Sequence, residues 1–401
     1  MKDVLFMSQY FYPEYVSSAV LPYETARRLS DAGYEVGSLC GYPFEYSKGK
    51  DVPMEETAGG ISIKRLKYIG ASRKGAFGRL INFISFFLAV YFHLGIAKQY
   101  KTIIVYSDPP ILPLLSVIAK RRYGTKVIFV CYDIYPEIGI NSGSFSEGGL
   151  ISKGFNWINR RVYKNLDAAI ALSTDMKSFV AANRQIESSK IHIIHNWGDD
   201  KDLVPQTEDE LFGIPKGAYV VSYLGNLGVC QDADTLLDAM EKLKDHSEIH
   251  FVIAGHGSKM DEVQNAIKEK DLSNVHYFGF LHGKDYEAVL ARSNAFALSL
   301  VKGMAGLCSP SKVCNYLRSG KPVFFIGEDD LEVAAQIESE GCGFCTANGD
   351  GRGLAETILS LAADKELQKS FGANARELYD REYSRTVCLD RYADLIKDLI
   401  G

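Results

Sequence analysis

The sequence predicts an α/β protein with two doubly wound parallel sheets, one in each half of the chain. Two observations support this prediction. In both halves, short apolar runs rich in β-branched and aromatic residues alternate with helical segments. Between the two series, residues 197–219 form an acidic stretch with prolines, glycines and no sustained period, which predicts a domain linker. We therefore expect a cleft between two domains, with ligands at the carboxyl ends of the strands.

The first half begins with the strand VLFMSQ and a loop. The segment YETARRLSDAGYEV then places Ala26, Leu29 and Ala32 at helical spacing and ends on Gly33, a typical stop residue. Four further predicted strands are TIIVYS, KVIFVCYD, AAIALST and KIHIIHN. Their apolar character is typical of strands buried in a parallel sheet.

The second half repeats this alternation. Its predicted strands are YVVSYLG, IHFVIAG, VHYFGF, AFALSL and PVFFIG, and helical segments such as DADTLLDAMEKLK and SKMDEVQNAIKEK separate them. The last segment, SRTVCLDRYADLIKDLIG, reads as an amphipathic helix. The predicted domains cover residues 1–200 and 201–383.

Composition narrows the class of protein. Hydrophobic residues make up 46 % of the chain and charged residues 24 %, as in ordinary globular proteins. The net charge of −5 argues against general nucleic-acid binding. The N-terminal MKDVLFMSQ lacks a signal-peptide pattern. The eight scattered cysteines are typical of reduced thiols, so we expect a cytoplasmic protein.

One region is strongly basic. Residues 57–132 contain twelve Lys and Arg and a single acid, Asp108. Within this region, residues 80–97 are almost wholly apolar, close to the roughly 20 residues of a membrane span but with polar breaks. The breaks disfavour a true span. A buried crossover helix and a helix on an anionic membrane surface both fit the pattern, and the sequence does not decide between them.

Three predicted strand ends in the second half carry glycine-rich loops, in YLGNLGVCQDADTLL, IAGHGSK and GLCSPSKVCNYLRSGKPV. Glycine allows close backbone approach, and a helix start offers free N–H groups. One such loop is a weak signal because glycine also serves any tight turn. Three at one sheet edge favour a nucleotide diphosphate, which needs several donors and one or two cations.

The third glycine-rich loop contains polar residues that could bind a phosphate or a sugar. Ser309 or Ser311 can cap the following helix, with Pro310 in its first turn. Lys312 lies in that turn, where the helix dipole disfavours a cation unless an anion binds nearby. It is thus a candidate phosphate ligand, with a plain surface lysine as the alternative. Asn315, one turn on, can hydrogen-bond sugar or ribose hydroxyls.

Three weaker signals favour structural readings. The carboxylates of Asp232–Asp234 stand at a helix start, where Asp232 is a good cap, so a metal site is disfavoured. The C-x-x-C of Cys342–Cys345 lacks a second pair and reads as structural thiols. His192 and His195 lack the partners of a zinc site.

These motifs resemble those of the retaining GT-B glycosyltransferases of family 4, over nearly the whole chain. The resemblance rests on LSDAGYEV, on YLGNLG followed by DTLLDAM, and on IAGHGS, VHYFGFL and CNYLRSGKPV. Within the family, DIYPE, NWGD and SPSKVCNY are similar to a branch that transfers sugars onto lipid-diphosphate acceptors. The resemblance implies the GT-B fold and a C-terminal helix, residues 384–401, that returns to the N-terminal domain.

The sequence departs from the family pattern at charged positions. Asn315 stands in place of the second Glu of the E-x₇-E signature, and Lys302–Gly303 is the nearest match to its first Glu. Where the family usually has Arg and Lys in the first glycine-rich loop, this chain has Asn226 and Gln231. Lys312 is then the main remaining cation for the phosphates. The usual Gly-Gly of the N-terminal loop reads Ser17 and Ser18.

The resemblance also implies a set of site residues. The catalytic candidates are Asp133 and Lys312. The donor-binding candidates are Gly225, Asn226, Gln231, Gly255, His256, Gly257, Phe280, Ser309, Ser311, Lys312 and Asn315. The acceptor-binding candidates are Tyr12, Ser17, Ser18, Asp133, Glu137 and Asn196. Simple alternatives remain: Asp133 as a cap, Glu137 as a solvated acid and Asn196 as a turn residue.

The function implied is a retaining, metal-independent sugar transfer from a nucleotide-diphosphate sugar, with no cofactor. The acceptor would be a lipid-diphosphate-linked saccharide in O-antigen or capsule synthesis. The basic and apolar region 64–126 would hold the enzyme peripherally on the inner face of the plasma membrane. Two rivals remain, a non-catalytic GT-B-like partner subunit, which the lost acids and cations favour, and a nucleotide-sugar epimerase.

Overall fold

The computed structural model describes residues 1–43, 51–71, 76–203 and 213–401. Arg73 and Lys74 of the basic region and residues 204–212 of the predicted linker lie outside the described residues. The chain forms two compact units. The first comprises Met1–His195, Gly306–Ser309 and Cys388–Gly401, and the second comprises Asn196–Ala305 and Pro310–Val387.

The first unit alternates strands and helices up to residue 193. Its elements are β1 (Lys2–Ser8), α1 (Ser17–Asp31), β2 (Val36–Gly41), β3 (Glu55–Ala58), β4 (Ile61–Leu66), α2 (Ala76–His93), β5 (Tyr100–Tyr106), α3 (Pro113–Tyr123), β6 (Lys126–Cys131), α4 (Glu137–Asn141), α5 (Leu150–Tyr163), β7 (Ala168–Ala171), α6 (Thr174–Asn183) and β8 (Ile191–Ile193). The sheet order is β3-β4-β2-β1-β5-β6-β7-β8. All pairs are parallel except β3 with β4. The strand order reverses between β1 and β5, which marks the expected ligand edge.

The second unit repeats this plan with a fully parallel sheet. Its elements are β9 (Tyr219–Asn226), α7 (Ala233–Lys242), β10 (Ile249–His256), α8 (Met260–Glu269), β11 (Val275–Phe278), α9 (Lys284–Arg292), β12 (Ala295–Ser299), α10 (Lys312–Arg318), β13 (Val323–Ile326), α11 (Glu332–Ser339), β14 (Gly343–Thr346), α12 (Gly351–Ala363) and α13 (Lys365–Leu378). The order β11-β10-β9-β12-β13-β14 reverses between β9 and β12. The predicted class, two doubly wound sheets, is confirmed.

The last helix, α14 (Arg385–Ile400), begins in the second unit and enters the first unit at Cys388. Arg28 of α1 forms an ion pair with Asp390 at 2.7 Å. Tyr392 and Ile396 are buried. The helix is therefore part of the first unit's core.

Some local predictions were wrong. Strand β2 was not predicted, because its glycines and Ser38 interrupt the apolar run by which the other strands were recognised. All six of its residues are nevertheless buried. Helix α1 begins at Ser17, so Ser17 and Ser18 are helical and do not belong to the loop. The predicted linker begins inside the second unit, where Trp197 is buried and the Gly198 N–H donates to the Tyr383 carbonyl at 3.3 Å.

Candidate functional site

The edge of the second sheet brings Lys312 to the end of β9. Gly225 has φ = +126°, and a Cβ added there would lie 2.8 Å from the Lys312 Cε atom. The Lys312 ammonium lies 5.1 Å from the centre of the Tyr223 ring, within cation–π range. Lys312 is the first residue of α10. Glycine at position 225 therefore leaves the space that the lysine side chain crosses.

Two further glycines are required by backbone packing at this edge. Gly255 has φ = +147° and its added Cβ would overlap the Gly225 carbonyl. Gly257 has φ = +140° and would overlap the Leu227 carbonyl in the same way. The first and second glycine-rich loops thus lie against each other. Close backbone packing alone explains why glycine is needed at positions 255 and 257. The same packing places the first and second glycine-rich loops side by side at this sheet edge.

Hydrogen bonds from neutral side chains stabilise the first glycine-rich loop. Gln231 Oε1 accepts from the Gly228 N–H at 2.8 Å and from Asn226 Nδ2 at 3.4 Å. Asp232 caps α7, accepting from the Thr235 N–H at 3.0 Å, as predicted. Among the described residues, no group of three or more His, Cys, Asp or Glu side chains could hold a metal ion.

The third loop divides between the two units. Ser309 belongs to the first unit, whereas Ser311 directly precedes α10 in the second. The Ser311 side chain makes no capping hydrogen bond, so its predicted capping role was wrong. Pro310 lies before the helix and not in its first turn, although its carbonyl accepts from the Val313 N–H at 3.0 Å.

Asn315 lies one turn after Lys312, in a crowded part of α10. A Cβ added to Gly198 would lie 3.2 Å from Asn315 Oδ1. Burial raises the pKa of the neighbouring Tyr286 to about 12, and a hydrogen bond to Asn315 opposes this shift. The amide is thus held in place by its own unit.

Tyr316 is a positioning residue to which the sequence predictions gave no role. Its buried hydroxyl accepts from the Leu224 N–H at 2.8 Å and donates to the Leu224 carbonyl at 3.2 Å. Its ring stacks on Phe296 with centroids 4.3 Å apart. These contacts fix α10 to the end of β9, immediately before Gly225. The tyrosine in SPSKVCNY was the available signal.

Aromatic side chains lie at the ends of β10 and β11. The exposed Phe280 ring lies edge-on to His256 at 5.4 Å and stacks on His282 at 6.1 Å. Burial lowers the pKa of His256, and the Lys312 charge lowers it further. A neutral imidazole beside a phenyl ring can stack on a flat ligand such as a nucleobase.

The edge of the first sheet is acidic. Asp133 follows β6, and its N–H and that of Tyr132 donate to the Ser107 hydroxyl at 3.4 and 3.2 Å. Asp133 also forms an antiparallel bridge with Cys308. Burial raises the pKa of Asp133 to about 6, and the Asp108 carboxylate contributes to the rise. Asp108, at the end of the neighbouring β5, was missed as a site residue.

Gln9, at the end of β1, is a second missed residue. Its N–H donates to the Asp108 carbonyl at 3.3 Å. Its side chain is buried, and within the described part of the chain neither amide atom has a hydrogen-bond partner. An unpaired buried amide is costly unless a ligand or water completes its bonding. A sugar hydroxyl could do so.

The other acceptor candidates have structural contacts. Glu137 begins α4 and pairs with the buried Arg184 at 2.5 Å, so its carboxylate is already engaged. The Asn196 carbonyl, in the second unit, accepts from the Cys314 thiol at 2.9 Å. Tyr12 is partly exposed and stacks on Tyr23 at 4.8 Å.

The helical segment Leu80–Gln99, most of α2 and the turn that follows it, is long and apolar enough to cross a membrane by length and composition, which alone is weak evidence. Its Phe86 and Val90 are buried, as a crossover helix requires. The opposite stripe is exposed. It consists of Leu80, Ile84, Leu88 and Tyr91, with Phe92 beside it at 77 % exposure. The helix therefore has one packed face and one apolar face outside the core.

Comparison with known proteins gave matches over both halves. Residues 19–197 match the model of a glycosyl transferase 4-like domain, and residues 206–378 match glycosyl transferases group 1.

Two relatives and one solved structure illustrate the similarity. The probable glycosyltransferase WbjE of Pseudomonas aeruginosa is 24 % identical over 310 residues, covering 76 % of each chain. The putative colanic acid biosynthesis glycosyl transferase WcaI of Escherichia coli K12 is 20 % identical over 335 residues, covering 79 % of this chain and 81 % of WcaI. Anabaena Alr3699/HepE, solved with UDP and glucose, superposes with a TM-score of 0.73 at 16 % identity, covering 99 % of this chain and all of that one.

Proposed function

Because the chain belongs to the glycosyltransferases, we propose that it transfers a sugar from a nucleotide-diphosphate sugar to a lipid-linked saccharide in cell-surface polysaccharide synthesis. Its first half matches a glycosyl transferase 4-like domain and its second half matches glycosyl transferases group 1. The name of WcaI, with its colanic acid pathway, supports the polysaccharide role. The UDP and glucose bound by HepE support the donor class. A non-catalytic subunit and an epimerase are not favoured by these matches.

One observation carries the donor assignment. Lys312 crosses the end of β9 over a glycine, at the point where the strand order of the sheet reverses. Ligands of doubly wound sheets bind at that point. Its ammonium would stabilise the negative charge that develops on the leaving diphosphate. The neutral Asn226 and Gln231 leave this role to Lys312.

The chemistry we propose is substitution with retention and without a metal. The acceptor hydroxyl oxygen bonds to the anomeric carbon on the face from which the diphosphate leaves. The bond from that carbon to the phosphate oxygen breaks, and the acceptor proton passes to the departing oxygen. No protein base is required. Asp133 would orient the acceptor or stabilise the positive charge on the sugar, since its strand end is where an acceptor would enter the first unit.

A lipid-linked acceptor would lie in a membrane, so the enzyme would have to reach the membrane surface. The exposed apolar stripe of α2, flanked in sequence by the basic residues of region 64–126, would lie in the lipid headgroup layer. We therefore expect the protein in the cytoplasm, held peripherally on the inner face of the plasma membrane.

A thermal-shift panel with UDP-, GDP- and TDP-sugars tests the donor site. We expect one nucleotide to raise the melting temperature of the wild type and not that of Lys312→Ala. The matched control is Lys365→Ala, since Lys365 is likewise the first residue of its helix and is exposed. Equal stabilisation of all three proteins would refute the phosphate role of Lys312. No stabilisation by any of the sugars would refute the donor assignment itself.

A further inference from the structure

Helix α5 presents a second apolar surface in the first unit, outside the basic region. Three of its large apolar side chains face away from the core: Leu150 is 88 % exposed, Ile151 57 % and Trp157 50 %. Leu150 and Trp157 are separated by seven residues, so they share one face of the helix. Ser152 and Tyr163, which are eleven positions apart and lie on the face opposite Leu150 and Trp157, are buried.

Cations border these apolar side chains. Lys153, Arg160, Arg161 and Lys164 are exposed, and residues 150–166 contain no acid. The Arg161 guanidinium lies 3.5 Å from the centre of the Trp157 ring. Tryptophan with arginine, beside exposed aliphatic residues, is typical of helices at a membrane surface. We call the exposed residues Leu150, Ile151, Lys153, Trp157, Arg160, Arg161 and Lys164 the α5 face.

The helix is connected to the acidic strand end. Asn159 donates to the Tyr135 carbonyl at 2.6 Å, and Phe155 stacks on the Tyr135 ring at 5.5 Å. Tyr135 is two residues from Asp133. Helix α3 packs against both α2 and α5, and it ends in the exposed Arg121 and Arg122. The α5 face and the α2 stripe thus belong to two helices that both pack on α3.

We propose that the α5 face is a second lipid contact, with Leu150, Ile151 and Trp157 in the headgroup layer of an anionic bilayer and the cations on its phosphates. Charge favours this occupant over a second copy of the chain, because two such faces would bring like charges together. The proposal rests on the proposed function and deepens its membrane attachment. It would also bring a lipid-linked acceptor to the loop that carries Asp133.

Tryptophan fluorescence of the full chain tests the proposal directly. The chain has two tryptophans, and Trp197 is buried. Anionic vesicles of phosphatidylcholine with phosphatidylglycerol should shift the emission of Trp157 to the blue, and brominated lipid should quench it. Trp157→Phe should abolish the shift while keeping most of the binding. Unchanged Trp157 emission when the protein sediments with vesicles would overturn the proposal.

Sedimentation with the same vesicles measures the energetic role. The double variant Leu150→Ser/Ile151→Ser should bind vesicles roughly tenfold or more weakly, because two exposed aliphatic side chains no longer enter the bilayer. Val229→Ser, a change at an exposed valine of the second unit, is the control and should bind normally.

Two outcomes separate this proposal from the proposed function. If vesicle binding is lost only in the α2 double variant Ile84→Ser/Leu88→Ser, the α5 contact is overturned and membrane attachment stays intact. A dimer that dissociates in the α5 double variant would show that the face binds a second copy, which would also overturn the lipid contact. Donor stabilisation in the thermal-shift panel should be the same in the α2 and α5 double variants, so a failure of the donor assignment is recognised separately.

Discussion

The two sheets share a winding pattern and differ in the chemistry of their ligand edges. In the first, Gln9 and Asp108 follow the two strands at the switch point, and Asp133 follows the next strand. In the second, the equivalent edge holds glycines and Lys312. The topology fixes where a ligand binds, but the side chains decide its charge. The acidic edge suits a neutral saccharide or a developing cation, and the basic edge suits a diphosphate.

The largest expected effect concerns the acidic edge. Burial raises the folded-state pKa of Asp133 from 3.8 to about 6. The stability that its bound proton contributes is therefore complete below about pH 4 and lost as the pH rises through 6. Asp133→Asn stays neutral, so above pH 7 its free energy of unfolding should exceed that of the wild type by roughly 2–3 kcal/mol. Denaturant unfolding at pH 4 and pH 8 measures this difference.

Asp261→Asn, a change at an exposed carboxyl of the second unit, is the control and should show no such gain. The variant Asp133→Asn should also lose transferase activity. If its unfolding profile against pH matched that of the wild type, the two edges would not differ in the way described.

The second prediction concerns the support of the basic edge. Tyr316→Phe removes a buried hydroxyl and leaves the Leu224 N–H unpaired, which should cost about 1–3 kcal/mol of unfolding free energy. Tyr219→Phe is a matched control on β9, because the buried Tyr219 hydroxyl has no hydrogen-bond partner within the described residues. That control should be neutral or stabilising. Equal losses in both variants would contradict the role of Tyr316.

The third prediction tests the glycine beneath the lysine. Gly225→Ala should weaken donor binding about tenfold, because the new Cβ displaces the Lys312 side chain, in addition to the strain at positive φ. Gly217→Ala carries the same kind of strain at φ = +80°, but meets no atom within 4 Å. It should lose stability and keep donor affinity, as calorimetry would show. Loss of affinity in both variants would mean that strain alone is responsible.

The smallest effect should come from restoring, at position 226, the arginine that the family usually has in the first glycine-rich loop. Asn226→Arg at the exposed loop position should tighten donor binding a few-fold, since a solvated ion pair contributes roughly 0–1 kcal/mol. The gain should shrink as salt rises. Asn226→Gln, which adds length without charge, is the control. A gain that is insensitive to salt would indicate that packing, not charge, limits the basic edge.

The sequence predicted the class of fold because alternating apolar runs and helical segments are local patterns. It did not reveal β2, β3, β4 or β14. In β2 and β14, glycines, Ser38 and cysteines dilute the apolar signal. The start of α1 was misplaced because Ser17 and Ser18 were compared with a glycine loop. Candidate site residues such as Asp133 and Lys312 could be named from the sequence. Their environments could not, because they depend on residues far apart in the chain.

The pairing of Glu137 with Arg184 illustrates this limit. The two residues are 47 positions apart, and nothing near Glu137 in the sequence indicates that its charge is used. The same holds for Tyr316 with Leu224, which are 92 positions apart. Such contacts arise only when the sheet is assembled.

The path of α14 has a consequence for biosynthesis. The first unit needs Cys388, Tyr392 and Ile396 to fill its core, and these residues follow the whole second unit in the chain. Residues 1–195 must therefore leave the ribosome before their core is closed, while the second unit can be complete earlier. Translation order and folding order are reversed at this point. A nascent chain that stalls before α14 is synthesised would expose the first unit to chaperones and proteases.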